Sequence, residues 1–319
     1  MGESPRALPS PASRVHTRAG LQRKRLAASP LGQNVFPVTT PGILNLSCYQ
    51  FTPLSDLPEW RERLRAACNA ADLKGTILIA PEGINFFLSG TPLQLEPVLA
   101  LIRSMPGCAN IRPKESPGAH QPFRRMLVKI KREIISFGVP GVDPAQSPSR
   151  KISPKQLRQW LEEGRDFTLL DTRNQYETKM GSFQGAFDPQ INSFRQFPDA
   201  VERLPAQTKQ KPVVIFCTGG IRCEKAGPFL EQRGFEEVFQ LDGGILKYFE
   251  EEGGAHYQGE CFVFDARVGV GPDLAETDSV LCFNCQIPLT QEEQKDPRYV
   301  YEQSCPHCHP DAVAARSLP

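Results

Sequence analysis

Apolar positions fall into a regular rhythm only from Ile43 onward. Leu44–Phe51 reads as a strand. Asp56 with Glu59 three residues on predicts a capped helix start, with Trp60, Leu64, Ala67, Cys68 and Ala71 along one stripe. Thr76–Ala80 reads as a buried strand, followed across the turn at Pro81-Glu82-Gly83 by a second at Ile84–Ser89. Thr91-Pro92 with Gln94 opens another helix through Leu95, Val98, Leu99 and Ile102. Residues 125–132 alternate as the last strand. The order β-α-β-β-α-β is that of a ferredoxin-like α+β domain over residues 43–137.

The pattern changes after a Pro/Gly/Ser linker at residues 138–149. Ser153-Pro154 with Gln156 caps a helix ending near Gly164. Phe167–Asp171, Val213–Cys217 and Val238–Leu241 are short buried-strand runs separated by helical stretches. That alternation predicts a parallel α/β sheet within residues 150–255, with its site at the carboxyl ends of the strands, where Asp171 and Cys217 fall. Residues 256–319 form a small Cys-rich tail. Residues 1–40 show no periodicity, and Arg6, Arg14, Arg18, Arg23, Lys24 and Arg25 face Glu3 alone. They read as a disordered basic arm: either an organellar (plastid or mitochondrial) transit peptide or a plain tail on a cytoplasmic protein.

Charge divides the chain. Residues 41–140 hold 12 Lys/Arg against 8 acids and residues 141–319 hold 19 against 27, so a polyanion should meet the first half. Arg125, Lys129 and Lys131 point to the face opposite Met126, Val128 and Ile130, which lines cations along one side of a sheet as a phosphate backbone requires. A merely solvated face is the alternative. No apolar run approaches the roughly 18 residues that span a bilayer, so no membrane partner is expected. Ten cysteines without a secretory apolar segment point to thiol chemistry and metal binding rather than to disulfides.

Val213-Val-Ile-Phe-Cys217-Thr-Gly-Gly-Ile-Arg222 carries the sharpest chemical signal. A buried strand running into a glycine loop and then a helix aims backbone N–H groups and a helix N-terminus at one point. A cysteine there, beside Arg222, is expected as thiolate, with Thr218, Gly219, Gly220 and Ile221 as an anion-cradling loop. Cys223 is either a second reactive thiol or a small residue packed in the helix. Cys48, Cys68 and Cys108 read as packing residues. In the tail, Cys282-Phe-Asn-Cys285 and Cys305-Pro-His-Cys308 are separated by 19 residues, the spacing of a zinc ribbon. Reduced, metal-free thiols are the alternative, with His307 and His309 as alternate ligands.

Asp171-Thr-Arg173, Cys217-Thr-Gly-Gly-Ile-Arg222 and Gly243-Gly244-Ile245 resemble the three landmarks of rhodanese domains. In that superfamily the six-residue loop cradles a persulfide on its first cysteine, and the Asp-x-Arg strand end braces the loop. A longer set is narrower: Glu82-Gly-Ile-Asn85, Lys129-x-Lys131-x-Glu133-Ile134, Asn174 with Tyr176-Glu177, the string Cys217–Lys225, Gly259-Glu-Cys-Phe-Val-Phe-Asp265 and the terminal Cys-x-x-Cys pair. Over about residues 43–309 these resemble the TrhO (YceA-like) family, whose members hydroxylate the wobble uridine of certain tRNAs with molecular oxygen. Phe86-Phe87 depart from that pattern, where a smaller residue is expected.

The resemblance implies a ferredoxin-like domain, a rhodanese-type parallel α/β domain and a Cys-rich segment, with tRNA as partner and oxygen as co-substrate. Cys217 would be the central residue, supported by Arg222, Cys223 and Arg173. Glu177 and Lys225 are candidate acid–base partners, with a solvated surface the favoured account of Glu177. The sequence carries no flavin, NAD or heme motif and no iron triad. Two competitors stand beside this reading: a sulfurtransferase using a Cys217 persulfide, and a non-catalytic RNA-binding adaptor.

Overall fold

A computed structural model describes residues 42–118 and 120–311. The basic arm expected at residues 1–40 lies outside the described residues. Among those described, no helix is long and apolar enough to cross a membrane.

The first sheet contains β1 (Ile43–Phe51), β2 (Lys74–Ala80), β3 (Gly83–Gly90), β4 (Lys114–Gly118) and β5 (Met126–Ile130), with α1 (Leu57–Ala70) and α2 (Pro92–Arg103) between strands. Strand order is β4-β1-β3-β2-β5. The register aligns Cys48, Phe86, Ile77 and Val128 in one row, which packs with Leu64, Val98 and Ile102 of the helices. Successive side chains alternate across a sheet, so the neighbouring row of Tyr49, Asn85, Leu78 and Lys129 lies on the face away from the helices. The cap expected at Thr91 is present, its backbone N–H donating to Gln94 Oε1 at 2.8 Å. Asp56 does precede α1, but in a left-handed conformation (φ 52°) with no side-chain cap. Its carboxylate instead accepts from the Ser55 hydroxyl at 2.7 Å.

One assignment changes. The last ferredoxin strand is β4, antiparallel to β1, whereas β5 is an added strand parallel to β2 at the opposite edge. Lys114-Glu-Ser-Pro-Gly118 has no apolar alternation to announce a strand. Pro117, lacking an N–H, is tolerated only because β4 is an edge.

The second unit runs β6 (Arg150–Ile152), α3 (Pro154–Glu162), β7 (Thr168–Asp171), α4 (Gln175–Thr178), β8 (Gly181–Phe183), α5 (Phe197–Val201), β9 (Val213–Phe216), α6 (Ile221–Gln232), β10 (Val238–Leu241) and α7 (Gly244–Glu252). Its parallel sheet has the order β6-β10-β9-β7. Helices α5 and α6 cover one face and α3 and α7 the other. Every residue of β9 is therefore buried, and the run shows no alternation. A final stretch pairs β11 (Tyr257–Gly259) with β8, β12 (Cys261–Phe262) with β13 (Gly269–Val270), and β14 (Val280–Leu281) with β15 (Pro288–Leu289).

Lys225 of α6 joins the two sheets. Its ammonium, 2% exposed as a side chain, lies 2.7 Å from Glu133 and 2.8 Å from Glu82 and donates to the Ile135 carbonyl at 3.2 Å. Glu82 also accepts from the Ile134 N–H at 2.7 Å. The lysine read as an acid–base candidate is thus a tie between domains, with both carboxylates compensating its buried charge. Phe137 continues the joint, stacking on Phe194 at 4.8 Å between ring centroids.

Candidate active site at the domain joint

Cys217 directly follows β9 and lies at the floor of a cavity of about 120 Å³. The rhodanese-side loop forms the floor, Tyr49, Asn85 and Phe87 of the first sheet form one wall, and Phe264 and Arg267 of the final stretch form another. The Cys217 sulfur accepts from the Gly220 N–H at 3.1 Å. Burial alone would raise the thiol pKa. The Cys223 S–H, the Arg222 guanidinium and the N–H groups of Arg222 and Gly220 oppose burial and prevail, lowering it to about 5. Cys223 is shifted the opposite way, by burial and by the thiolate beside it. The loop therefore favours a thiolate at Cys217 and a thiol at Cys223.

Two glycines make this geometry possible. Gly220 has φ 102°, and a Cβ there would stand 2.8 Å from the Tyr49 hydroxyl. Gly244 has φ 66°, and a Cβ would meet the Cys217 carbonyl at 2.4 Å. The close approach lets the Ile245 and Leu246 N–H groups of α7 donate to the Cys217 and Thr218 carbonyls at 2.9 and 3.1 Å.

Arg222 and Glu177 form a buried bidentate pair at 2.6 and 2.7 Å. Glu177 is fully buried, so its reading as a surface residue is wrong. It is the third residue of α4, where its carboxylate also accepts from the Asn174 N–H at 3.0 Å. Arg173 is placed elsewhere. Its guanidinium grips Asp171 at 2.6–3.2 Å and donates to the Gly181 carbonyl at 2.7 Å, fastening β7 to β8 behind the loop rather than facing the cavity. Thr218, Gly219 and Ile221 line the cavity; Cys223 sits beneath it, 3.8 Å from the Thr172 hydroxyl.

Sequence reasoning missed three lining groups. Lys114, from the unforeseen β4, donates to the Gly243 carbonyl at 2.7 Å and makes no ion pair within 4 Å among the described residues. Burial lowers its pKa, against the pull of Glu250. Phe264, 46% exposed, sits at the mouth with the Arg222 guanidinium 5.7 Å from its ring centre. Tyr49 donates to Glu224 at 3.0 Å above the loop. Phe264 had a signal in the Gly259–Asp265 string, without a role attached. Phe87, the unexpected bulky residue after Asn85, also lines this cavity.

Residues 43–134 match the family described as a UPF0176 acylphosphatase-like domain, and residues 153–251 match the rhodanese-like domain. A protein of Cupriavidus metallidurans named tRNA uridine(34) hydroxylase is 46% identical over 86% of this chain and 99% of its own length. One of the same name from Paraburkholderia xenovorans matches at 46% over the same shares. The chain belongs to the tRNA uridine(34) hydroxylase family. Among solved structures, the rhodanese-like domain of an Anabaena protein is 25% identical over 35% of this chain and 80% of its own, with a TM-score of 0.30.

Two further features of this family member lie outside the cavity. Cys282, Cys285, Cys305 and Cys308 bring their sulfurs within 4.8 Å of one another. Individual separations are 3.8 Å (Cys282–Cys308), 3.6 Å (Cys285–Cys305) and 3.7 Å (Cys305–Cys308). Four sulfurs bound tetrahedrally at about 2.3 Å stand about 3.8 Å apart, so the set fits a single metal ion. The alternate ligands turn away, His307 Nε2 to Glu293 at 2.7 Å and His309 Nδ1 to Asp311 at 3.4 Å. Arg125, Lys129 and Lys131 are exposed along β5. By the register they share a sheet face with Asn85 and Phe87, two strands from the cavity wall.

Proposed function

We propose that this chain hydroxylates C5 of the wobble uridine of tRNA, with molecular oxygen as co-substrate. The observation that carries the reading is a stabilised thiolate at Cys217 beneath a cavity whose wall continues along one sheet face into the Arg125, Lys129 and Lys131 row. The cationic row would hold phosphates, and a single base would enter the cavity. Phe264 offers an aromatic face for it, worth about 1–3 kcal/mol in comparable base stacking. The Cys217 thiolate would add to C6 of uracil, sending the C5=C6 electron pair toward a ring carbonyl and making C5 electron-rich. Lys114 is placed to donate to an oxygen that gains charge in this step. Arg222, held by Glu177, keeps the loop charged and ordered.

Zinc would be held by Cys282, Cys285, Cys305 and Cys308 and would supply only a structural tie to a segment with few core residues of its own. The acid-poor arm at residues 1–40 suits a transit peptide, which would place the enzyme in an organelle.

The test uses purified protein, tRNA with uridine at the wobble position, air and a thiol reductant, with nucleosides resolved by mass spectrometry. Wild-type protein should yield 5-hydroxyuridine, and Cys217→Ser should lower the rate by about 10³-fold or more. An undiminished yield from that variant would sink the reading. Thiocyanate from thiosulfate and cyanide, without hydroxyuridine, would identify a sulfurtransferase instead.

A further inference from the structure

Placing one atom of O₂ on C5 leaves the other to become water, which consumes two electrons and two protons; two thiols closing to one disulfide release that number of each. Cys217 and Cys223 are two free cysteines, fully buried in the same apolar cluster and separated only by the loop. We propose that these two residues supply the electrons, closing to a disulfide once per turnover. The inference rests on the hydroxylase reading above and names the reductant that reading leaves open.

The atoms balance as follows. Cys217 sulfur bonds to C6, the C5=C6 pair attacks oxygen, and a proton completes a hydroperoxide on C5. Loss of the C5 hydrogen as a proton expels Cys217 from C6 and restores the ring double bond. The freed Cys217 thiolate attacks the outer oxygen of the hydroperoxide, the O–O bond breaks, and a proton passes to the oxyanion left on C5. Cys217 is now a sulfenic acid. The Cys223 thiol, from beneath, then attacks the Cys217 sulfur and releases water. Uridine, oxygen and two thiols have become 5-hydroxyuridine, water and a disulfide. A thiol from solution reopens the pair by exchange.

The surroundings suit these roles. Cys217 lines the cavity, where it can meet a base, whereas Cys223 is absent from the lining, sits six residues on in the same buried cluster, and is held protonated by burial. Cys261 is equally buried, but it packs in the cluster on the other side of the sheet, with its S–H toward the Phe262 carbonyl.

The experiment starts from fully reduced protein, freed of reductant and mixed with excess wobble-uridine tRNA in air. The expected result is a burst of about one 5-hydroxyuridine per chain, with the Cys217 and Cys223 peptides joined and two hydrogens lighter, and no further product until a thiol is added. Cys223→Ser should stop after the burst with Cys217 trapped as a sulfenic acid and no joined peptides, whereas Cys261→Ser should join the Cys217 and Cys223 peptides as the wild type does. The wild-type peptide mass stands even if a variant fails to fold. Continued turnover without thiol, or a burst that leaves both thiols free, overturns the proposal. No product even with added thiol breaks the hydroxylase reading itself.

Discussion

Cys217 with Cys223, and the four cysteines of the tail, are the same residue type arranged for opposite ends. At the domain joint one sulfur is ionised by what surrounds it: a backbone N–H at 3.1 Å, a neighbouring thiol, and a guanidinium itself fixed by Glu177. That electrostatic setting needs two domains and a buried ion pair to maintain. In the tail the sulfurs are set 3.6–3.8 Å from one another, with a core of only Cys282, Leu289 and Cys305 fully buried around them. Repulsion among several thiolates at that range must be relieved by a cation or by protons. One group depends on the fold. The other would supply the fold of its own segment once it holds a metal ion.

The strongest way to break this contrast is Glu177→Ala. It leaves Arg222 buried without its partner, a change that costs about 3–5 kcal/mol in comparable buried pairs. Denaturant unfolding should show that loss, and hydroxylation should fall with it. Cys285→Ser should leave the same unfolding transition in place while lowering the zinc content of the purified protein below that of the wild type. Equal unfolding midpoints for Glu177→Ala and wild type would show that the loop needs no ion pair.

Alkylation should separate the groups at lower cost to the protein. Because the Cys217 pKa is lowered to about 5, its thiolate fraction is already full near neutral pH and falls only as pH drops through that value. A small alkylating agent should therefore label Cys217 at a rate flat across neutral pH. Purified protein should carry about one zinc per chain, and the four tail cysteines should react only after chelation. Metal-free protein with all four tail thiols open from the start would remove the distinction between the groups.

How much of this was legible in the sequence follows from how far apart the partners lie along the chain. The strand, loop and helix around Cys217 are contiguous, so glycine positions and Arg222 exposed the thiolate site directly. Cys-x₂-Cys pairs likewise declare themselves. Glu177, by contrast, stands 45 residues from Arg222, and as a lone acid after Tyr176 it looks no different from a surface residue. Lys114 reaches the cavity from β4, a strand without apolar alternation. Lys225 meets Glu82 and Glu133 from another domain, so its charge could be read as chemistry until the joint was seen. Local order was written locally; the ion pairs across the joint were not.

The smallest expected effect tests whether the first sheet brings RNA to the thiolate at all. Arg125, Lys129 and Lys131 lie on the face that leads to Asn85 and Phe87, yet none lines the cavity. Each lysine or arginine that neutralises a phosphate releases counterions, about 0.7–0.9 per contact. The combined Arg125→Ala, Lys129→Ala and Lys131→Ala variant should therefore flatten the slope of log affinity against log salt by about 2–3. The loss should be similar for any tRNA, because phosphate contacts carry no sequence information. Cys217 should alkylate at its wild-type rate and the metal should stay bound, since neither cysteine group touches this edge. A salt slope equal to that of the wild type would leave the cationic row merely solvated, and the RNA would have to approach the thiolate from another side of the joint.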